Sequence, residues 1–275
     1  SEMCIRDSTC TEAGKTEGKH CSVCGEIIVA QEEIAALGHT EVVDEDVAPT
    51  CAATGKTAGK HCSVCHEVLV AQKEIAALGH TYVNEICTRC GEHEPTKELK
   101  YSLNKDGASY TVVGIENEND ITEVYIPSLY NGKPVTSIGN DAFSGWDSLR
   151  SVIIPNGVTI ICDYAFYECV NLTNITLPNS VTSIGGGAFQ YCRSLTSINI
   201  PNSVTSIGES AFCGCTSLTS IIIPNGVTII EGNVFCGCSS LTSINIPNGV
   251  TSIGKKAFSA SNLTSIITVS YTHLT

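Results

Sequence analysis

Charged side chains and long apolar segments are both scarce in this sequence. Only 16% of its 275 residues are charged, well below the quarter that is usual in soluble proteins. The longest apolar runs, such as residues 221–224, are far shorter than the ~20 residues that a transmembrane helix needs. We therefore expect no membrane span. The net charge of −13 provides no basic surface for phosphate groups, which argues against a nucleic-acid partner.

Bulky core residues are rare as well, since the chain has one Met, one Trp and six Phe. Apolar residues still make up 42% of the sequence, too many for extensive disorder, so the core must consist of Ile, Val and Leu. Cysteine is abundant by contrast. Nine of the 16 Cys and six of the seven His precede residue 94, whereas residues 151–254 contain only five charged residues. The sequence therefore joins two different kinds of protein.

The two ends do not continue the repeats that they adjoin. The strings SEMCIRDS at 1–8 and VSYTHLT at 269–275 resemble translated sequencing adapters. We expect 1–8 and 268–275 to be non-native. We expect the sequence to be a fragment, which would lack a signal peptide and a wall anchor.

A unit of 41 residues rich in Cys and His occurs twice over residues 9–91. Cys10, Cys21, Cys24 and His39 all recur 41 positions later, and a third, shortened copy reads Cys-Thr-Arg-Cys. The candidate metal ligands are Cys10, Cys21, Cys24, His39, Cys51, Cys62, Cys65, His80, Cys87 and Cys90.

The spacing of these residues is typical of structural zinc. A Cys-x-x-Cys pair places two thiolates on one tight turn, and a third Cys with one His completes a closed Cys₃His shell. A closed shell leaves no position for catalysis. Units this small bury little apolar area, so a metal or a covalent link is needed for their stability. Disulfides and free thiols remain alternatives to zinc.

Two ligand registers fit the spacing. The first, which we favour, groups Cys10, Cys21, Cys24 and His39 and repeats this grouping 41 residues later. The second places His39 with the three cysteines of the next copy and leaves His80, Cys87 and Cys90, with or without His93, for a last site. His20 and His61 are expected outside either shell.

A period of 23 residues governs the rest of the chain. It is carried by phenylalanines, isoleucines and prolines in successive copies. The phenylalanines are Phe143, Phe166, Phe189, Phe212, Phe235 and Phe258. Each copy opens with the leucine-rich-repeat strand pattern L-x-x-I-x-I. In one copy, Leu195, Ile198 and Ile200 are predicted to point inward while Thr196 and Asn199 face solvent.

These patterns predict a mainly β fold. A right-handed leucine-rich-repeat solenoid of 23-residue coils is expected over 121–267, preceded by a capping hairpin at 100–120, a linker at 92–99 and the Cys/His-rich modules. The first coil carries a five-residue insertion around 128–134.

The solenoid cysteines Cys169, Cys192, Cys215 and Cys238 share one position of the repeat. We predict that they fill the interior as small apolar side chains. Two neighbouring coils also contain Cys213 and Cys236, so a four-thiolate metal site is the alternative.

The repeat unit at 195–217, LTSINIPNSVTSIGESAFCGCTS, resembles those of the BspA-like leucine-rich-repeat surface proteins of bacteria. The resemblance covers about 100–267. The modules at 9–91 resemble, less specifically, zinc-ribbon-like Cys-rich segments beside such repeats in secreted clostridial-type proteins. This family implies export, display at the cell surface, and adhesion to host or neighbouring-cell proteins.

We therefore expect a secreted or surface protein that binds an extracellular protein or a host-surface ligand, with structural zinc as its cofactor. The alternative is an accessory binding module of a larger secreted hydrolase whose catalytic domain lies elsewhere. No enzyme is expected within these residues, because the repeats lack His and have few carboxylates. The expected ligand-facing residues are Tyr125, Arg150, Ile153, Thr176, Asn199, Ile222 and Asn245.

Overall fold

The computed structural model describes residues 4–6, 8–83, 86–116 and 121–269. Residues 1–3, 7 and 270–275, in the termini expected to be non-native, lie outside the described residues, as do 117–120 of the expected capping hairpin. Contacts between Cα atoms divide the chain into two compact units, residues 1–81 with 88–90, and residues 82–87 with 91–275. Within the described part every regular element is a strand, and no helix has the length and apolarity of a membrane span.

The first unit consists of short antiparallel pairs that repeat with the 41-residue period. Its strands are β1 Cys4–Arg6, β2 Gly14–His20, β3 Ile27–Val29, β4 Glu33–Ile34, β5 Glu41–Asp44, β6 Gly55–Lys56, β7 Gly59–Cys62, β8 Val68–Val70 and β9 Glu74–Ile75. In the first copy β2 pairs with β3 and β4, and in the second copy β7 pairs with β8 and β6 with β9. The two copies therefore fold alike.

Glycines of the G-K-T-x-G-K motif allow these strands to approach closely. A Cβ added to Gly18 would lie 2.5 Å from Gln31 Cγ, and one added to the equivalent Gly59 would lie 2.7 Å from Gln72 Cγ. Such distances are too short for any side chain, so the glycines are a packing requirement of the hairpin.

The first unit buries almost no hydrocarbon side chains. Its buried apolar residues in the described part are three cysteines, Cys10, Cys51 and Cys62. Its valines, isoleucines and leucines are largely exposed; Val23, for example, is 93% exposed. The cysteines occupy the place that a hydrophobic core has in other domains.

The second unit carries the remaining strands, most of them in the solenoid. They are β10 Tyr82–Val83, β11 Ile86–Cys87, β12 Leu99–Leu103, β13 Tyr110–Ile115, β14 Glu123–Tyr125, β15 Leu129–Tyr130, β16 Lys133–Ile138, β17 Ser151–Ile153, β18 Ile160–Ile161, β19 Asn174–Thr176, β20 Ser183–Ile184, β21 Ser197–Ile198, β22 Ser206–Ile207, β23 Ser220–Ile221, β24 Ile229–Ile230, β25 Ser243–Pro247, β26 Ser252–Ile253 and β27 Ser265–Val269.

Each coil of the solenoid contributes one strand to each of two parallel ladders. The first ladder follows the chain order β14, β17, β19, β21, β23, β25 and β27, in the hydrogen-bonded sets β14–β17–β19, β21–β23 and β25–β27. The second follows β16, β18, β20, β22, β24 and β26, in the sets β16–β18–β20–β22 and β24–β26. Paired residues are 23 apart, as for Ser197 and Ser220. The step is 28 between Glu123 and Ser151, which confirms the five-residue insertion in the first coil. The step is 22 between Ser243 and Ser265, because the last coil is one residue shorter.

A hairpin covers the N-terminal end of the solenoid. Strands β12 and β13 are antiparallel, and β13 continues the second ladder by pairing in parallel with β16. Tyr101 stacks on Tyr130 with ring centroids 3.8 Å apart, and Tyr110 contacts both rings edge-on. These tyrosines shield the apolar end of the first coil.

The predicted inward positions are confirmed. Leu195, Ile198 and Ile200 are buried, whereas Thr196 and Asn199 are exposed. The six phenylalanines form a continuous stack with centroid separations of 5.3 to 5.8 Å and interplanar angles of 3° to 18°. Every coil thus buries its apolar face against its neighbours, which makes the stability of the solenoid collective.

Two positions in every coil adopt the left-handed conformation, and the amino-acid types there give little indication of it. The φ angles are 53° to 60° at the first position and 55° to 74° at the second. These residues are Asp141, Tyr164, Gly187, Ser210, Asn233 and Lys256 at the first position, and Gly145, Glu168, Tyr191, Gly214, Gly237 and Ala260 at the second. They bound the turn that carries the phenylalanine, so the geometry of the coil and not residue preference imposes the conformation.

Candidate functional site

Three Cys-x-x-Cys segments of the chain form the same tight loop, which we call a knuckle. In the knuckle of Cys21 and Cys24, the N–H of Gly25 donates to the carbonyl of Cys21 at 2.9 Å, and the N–H of Cys21 donates to Glu26 at 2.8 Å. The same two bonds recur in the knuckles that begin at Cys62 and Cys87. The residue after each pair has a positive φ, 74° at Gly25, 60° at His66 and 76° at Gly91. Each loop presents two thiols side by side.

Two groups of metal-ligand residues form around the second and third knuckles. The first group is Cys10, His39, Cys62 and Cys65, and the second is Cys51, His80, Cys87 and Cys90. Within each group the ligand atoms all lie within 4.8 Å of one another. Both groups have the Cys₃His composition that the sequence predicts.

The distances in the first group match a tetrahedral metal shell. With Zn–S bonds of about 2.3 Å, two sulfurs of such a shell lie about 3.8 Å apart, and a sulfur and an imidazole nitrogen about 3.6 Å apart. Cys10 Sγ is 3.8 Å from Cys62 Sγ, and Cys65 Sγ is 3.5 Å from His39 Nδ1. In the second group, Cys90 Sγ is 3.4 Å from His80 Nδ1. These distances are close to those of a tetrahedral shell, and all ligand atoms of each group lie within 4.8 Å of one another.

Groups around the first site support such a role. His39 Nε2 lies 3.4 Å from the carboxylate of Glu67, an arrangement that orients a ligating imidazole. Backbone N–H groups of Cys65 and Val64 help to lower the pKa of the Cys62 thiol to about 5. Burial and the neighbouring thiols raise the pKa of Cys10 to about 11.

The favoured first register is not formed. The grouping follows the second register in joining His39 to Cys62 and Cys65, and His80 to Cys87 and Cys90, but Cys10 takes the place that this register gave to Cys51. Each site takes its lone Cys and its His from one module and its Cys-x-x-Cys pair from the next copy. The reason is a strand pairing that the sequence does not reveal. Strand β5, which follows His39, pairs antiparallel with β7, which ends at Cys62, so His39 approaches the knuckle of the following module. Cys21 and Cys24 belong to neither group.

Cys10 and Cys62 are not joined by a disulfide. Their Sγ atoms lie 3.8 Å apart, whereas a disulfide bond is ~2.05 Å long. Of the two histidines expected outside the shell, His61 forms a hydrogen bond through Nδ1 to the carboxylate of Asp44, 2.8 Å away across the β5–β7 pair. Neither His20 nor His61 joins a ligand group.

The column of solenoid cysteines is fully buried, as predicted. Each thiol in it also donates to a phenylalanine carbonyl of the preceding coil; Cys192 Sγ, for example, lies 3.1 Å from Phe166 O. Burial raises the pKa of Cys192 and Cys215 well above the usual value. Cys213 hydrogen-bonds with Cys236, yet no metal-ligand group forms there in the part of the chain that the structure describes. These thiols are structural.

The expected ligand-facing residues lie along the first ladder. Arg150, Ile153, Thr176, Asn199 and Ile222 are exposed, while Tyr125 and Asn245 are half-buried. Ile222 is the most prominent apolar side chain among them, with 68% exposure. The structure also shows a contact that the sequence did not predict. The ring of Tyr125 stacks on the ring of His93, in the expected linker, at a centroid distance of 4.2 Å.

Many hydroxyl groups on the solenoid surface are not available to a ligand. Thr173 donates to the carbonyl of Arg150 at 3.1 Å, and Thr219 donates to Thr196 at 3.2 Å. A second column does the same, as Thr182 bonds to Thr159. These threonines connect adjacent coils, which explains their abundance without any contact to a partner.

A groove of about 330 Å³ lies where the first ladder meets the following turn. It is lined by Ile222 and Asn245 of the expected binding surface, together with Pro247. Three asparagines from successive turns also line it, Asn202, Asn225 and Asn248. The Oδ1 atom of Asn245 is buried and accepts no hydrogen bond from the described residues. These asparagines recur every 23 residues in the sequence.

Parallel strands at a 23-residue spacing, each carrying the L-x-x-I-x-I pattern, define a leucine-rich-repeat protein. The family model of the BspA type leucine rich repeat region matches residues 116–216 and 159–273, more than half of the sequence, with six copies. The chain belongs to this family. The search of curated proteins found no match.

Solved structures of bacterial leucine-rich-repeat proteins share the fold. A leucine rich repeat protein of T. pallidum has 28% identity and a TM-score of 0.53, covering 63% of this chain and 84% of its own. A leucine rich cell surface protein of Faecalibacterium prausnitzii has 32% identity and a TM-score of 0.51, covering 64% of this chain and 54% of its own. The pneumococcal vaccine antigen PcpA, at 22% identity and a TM-score of 0.54, covers 64% and 49% and shows the fold alone. The chain thus spans about half the length of the latter two.

Proposed function

We propose that this chain is a secreted or surface-displayed bacterial protein that binds an extracellular protein ligand on the first ladder of its solenoid. The similarity to a leucine rich cell surface protein supports the location. The groove beside Ile222 and Asn245 supports the binding role, and it is the observation on which the proposal depends.

The chemistry of the groove suits an extended polypeptide segment. Side-chain amides both donate and accept hydrogen bonds, as peptide groups do. The unpartnered Oδ1 of Asn245 is ready to accept a hydrogen bond from an N–H of the ligand, because an unsatisfied buried acceptor is costly in the free protein. Ile222 supplies an apolar contact beside it. Few charges are present nearby, so we expect a ligand recognised through its main chain and apolar side chains.

Binding rather than catalysis is the role that the solenoid supports. Its exposed surface consists mainly of threonine, serine, asparagine and isoleucine, and several threonine hydroxyls bond to the neighbouring coil. General acid–base or nucleophilic catalysis would need a carboxylate, imidazole or thiolate at the groove. The residues that line the groove are Asn, Ile, Pro and Gly.

Selection of peptides from a displayed random library tests the binding surface. Peptides enriched on the full chain should bind at least tenfold more weakly to Ile222→Lys and to Asn245→Ala. Ile229→Lys is the matched control, because it places the same change in the same coil on the second ladder. Equal loss with Ile229→Lys, or no loss with Ile222→Lys, would refute the proposed surface. Antibody labelling of intact source cells checks the location, and labelling only after permeabilisation would contradict it.

We also propose that the two Cys₃His groups hold structural zinc. The support is the match of the sulfur and nitrogen distances to a tetrahedral shell and the orienting carboxylate of Glu67. Without a metal ion the first unit buries little besides cysteine, which is insufficient for a stable fold. Zinc would link consecutive modules and take over the role of a hydrophobic core.

Elemental analysis of the purified full chain tests the zinc sites. We expect two zinc ions per chain that resist a weak chelator. Cys62→Ser should remove one of them, whereas Cys215→Ser, in the buried solenoid column, should leave both. A folded first unit without metal would overturn this assignment.

A further inference from the structure

The knuckle of Cys21 and Cys24 has the geometry of a metal site but only half of its ligands. Its two backbone hydrogen bonds and its positive-φ glycine are those of the knuckles at Cys62 and Cys87. Those two knuckles each sit in a group with one more Cys and one His. Around Cys21 and Cys24 the described residues supply no such pair. The two thiols are instead accessible, with Cys24 exposed.

The missing ligands have a defined form in this protein. Cys10 and His39 are 29 residues apart, and so are Cys51 and His80. In both modules the same backbone bonds hold this pair together, from Gly38 N to Cys10 O at 3.1 Å and from the equivalent Gly79 N at 3.0 Å. Each module therefore has a preassembled donor half, one Cys with one His. Each also has an acceptor half, its knuckle.

The acceptor half at Cys21 also has the carboxylate that an incoming imidazole needs. All three knuckles read C-x-x-C-x-E, and Glu67 of the second one contacts Nε2 of the ligand His39. Glu26 holds the same position beside Cys24 and is exposed. Glu26 is therefore placed to orient the imidazole of a histidine that another module would supply.

We propose that Cys21 and Cys24 are the open half of an intermodular metal site, completed by one thiolate and one imidazole from the donor half of another module of this kind. The proposal rests on the zinc sites proposed above. Both donor halves of this chain belong to the sites at Cys62 and Cys87, so the completing thiolate and imidazole come from a further module. Zinc would bind weakly at the two thiols alone and tightly once the second module supplies its two ligands.

Cobalt titration of the full chain tests the open half first. The first two equivalents should each produce the thiolate charge-transfer absorption of three sulfurs. A third, weaker equivalent should add about two-thirds of that intensity, because only two thiolates contribute. Cys21→Ser with Cys24→Ser should remove the third equivalent alone. Absence of the third equivalent, or its persistence in this variant, would overturn the proposal.

Completion by a second module is tested by mixing full chains. The donor chain carries Cys21→Ser, Cys24→Ser, Cys87→Ser and Cys90→Ser, which frees Cys51 and His80 while keeping the site at Cys62. When the tight sites of both chains are filled beforehand and one further equivalent of zinc per pair is added, wild type and donor should form a 1:1 complex in analytical ultracentrifugation. The complex should disappear when the acceptor carries Cys21→Ser and Cys24→Ser. Retention of one tight zinc by the donor confirms that it is folded.

The outcomes separate this proposal from the zinc assignment. Two tight zinc ions with no third equivalent, or no zinc-dependent complex, would overturn the open half-site alone. Absence of the two tight ions would overturn both. Glu26→Gln should weaken the zinc-dependent complex severalfold and leave the two tight ions unchanged, which a purely structural Glu26 would not do.

Discussion

The two units of this chain solve the same problem, the stability of short repeated strands, in opposite ways. The solenoid buries an uninterrupted series of Ile, Leu, Val and Phe side chains from Leu99 to Ala257. The modules expose their valines and isoleucines and bury cysteines. A coil of 23 residues gains a core by stacking on identical coils, whereas in our proposal a module of 41 residues gains one by sharing metal ligands with the next module. The difference shows that repetition stabilises a chain either through apolar contact or through shared coordination.

The largest effect is expected from removing metal. A strong chelator should unfold the modules and leave the solenoid intact, because structural zinc supplies about 10 kcal/mol or more of folding free energy in small domains. Acidification should act likewise, since the ligand thiols must lose protons to bind zinc and regain them as the pH falls. Amide hydrogen exchange checks this, with loss of protection expected at Lys60 and His61 and none at Ile198. Equal loss of amide protection in the modules and in the solenoid would contradict the proposal that only the modules depend on metal.

A cavity in the phenylalanine stack should destabilise the solenoid and leave the modules unchanged. Phe189 is fully buried and stacks on Phe166 at 5.3 Å and Phe212 at 5.4 Å. Phe189→Ala should lower the free energy of unfolding of the solenoid by about 3–5 kcal/mol. Urea denaturation measures this loss, and zinc content should not change. The control Ile229→Ala, at an exposed position, should cost within about 0.5 kcal/mol.

The cysteines of the two units should differ in reactivity. In the native protein at pH 8, iodoacetamide should modify Cys24 at least about a hundredfold faster than Cys192 or Cys215. Burial raises the pKa of the latter two thiols well above the usual value, so little thiolate forms at this pH. Mass spectrometry of digests measures the rates. Addition of chelator should expose Cys62 and leave Cys192 protected; modification of Cys192 without denaturant would refute its structural role.

The smallest effect concerns the left-handed positions of the coil. Ser210 has a φ of 60°, a conformation that glycine adopts without strain. Ser210→Gly should therefore raise the free energy of unfolding by up to about 1 kcal/mol, part of the relief being offset by the entropy of glycine in the unfolded chain. Ser220→Gly, the same change within strand β23, should lower it by about 0.5–1 kcal/mol. Thermal unfolding distinguishes the two, and equal shifts would contradict the role of φ.

Much of the solenoid could be predicted from the sequence. The 23-residue step, the inward residues such as Leu195 and the buried cysteine column all follow from periodicity, because every coil repeats one environment. The left-handed residues could not be predicted, since Tyr164 and Lys256 give no local signal. The groove was not predicted either, because it depends on how the side chains of Asn225 and Asn248 lie against those of neighbouring coils.

In the modules, the sequence by itself determined the chemistry: the number and type of ligands, the Cys-x-x-Cys turns, and the need for a metal in a unit without a core. Only the tertiary structure decided which ligands meet. Spacing along the chain allowed His39 to join either Cys21 or Cys62, and the pairing of β5 with β7 brings it to Cys62. Ligand identity is a local property of the residues, whereas ligand grouping follows from strand pairing between modules, a long-range contact on which local spacing carries no information.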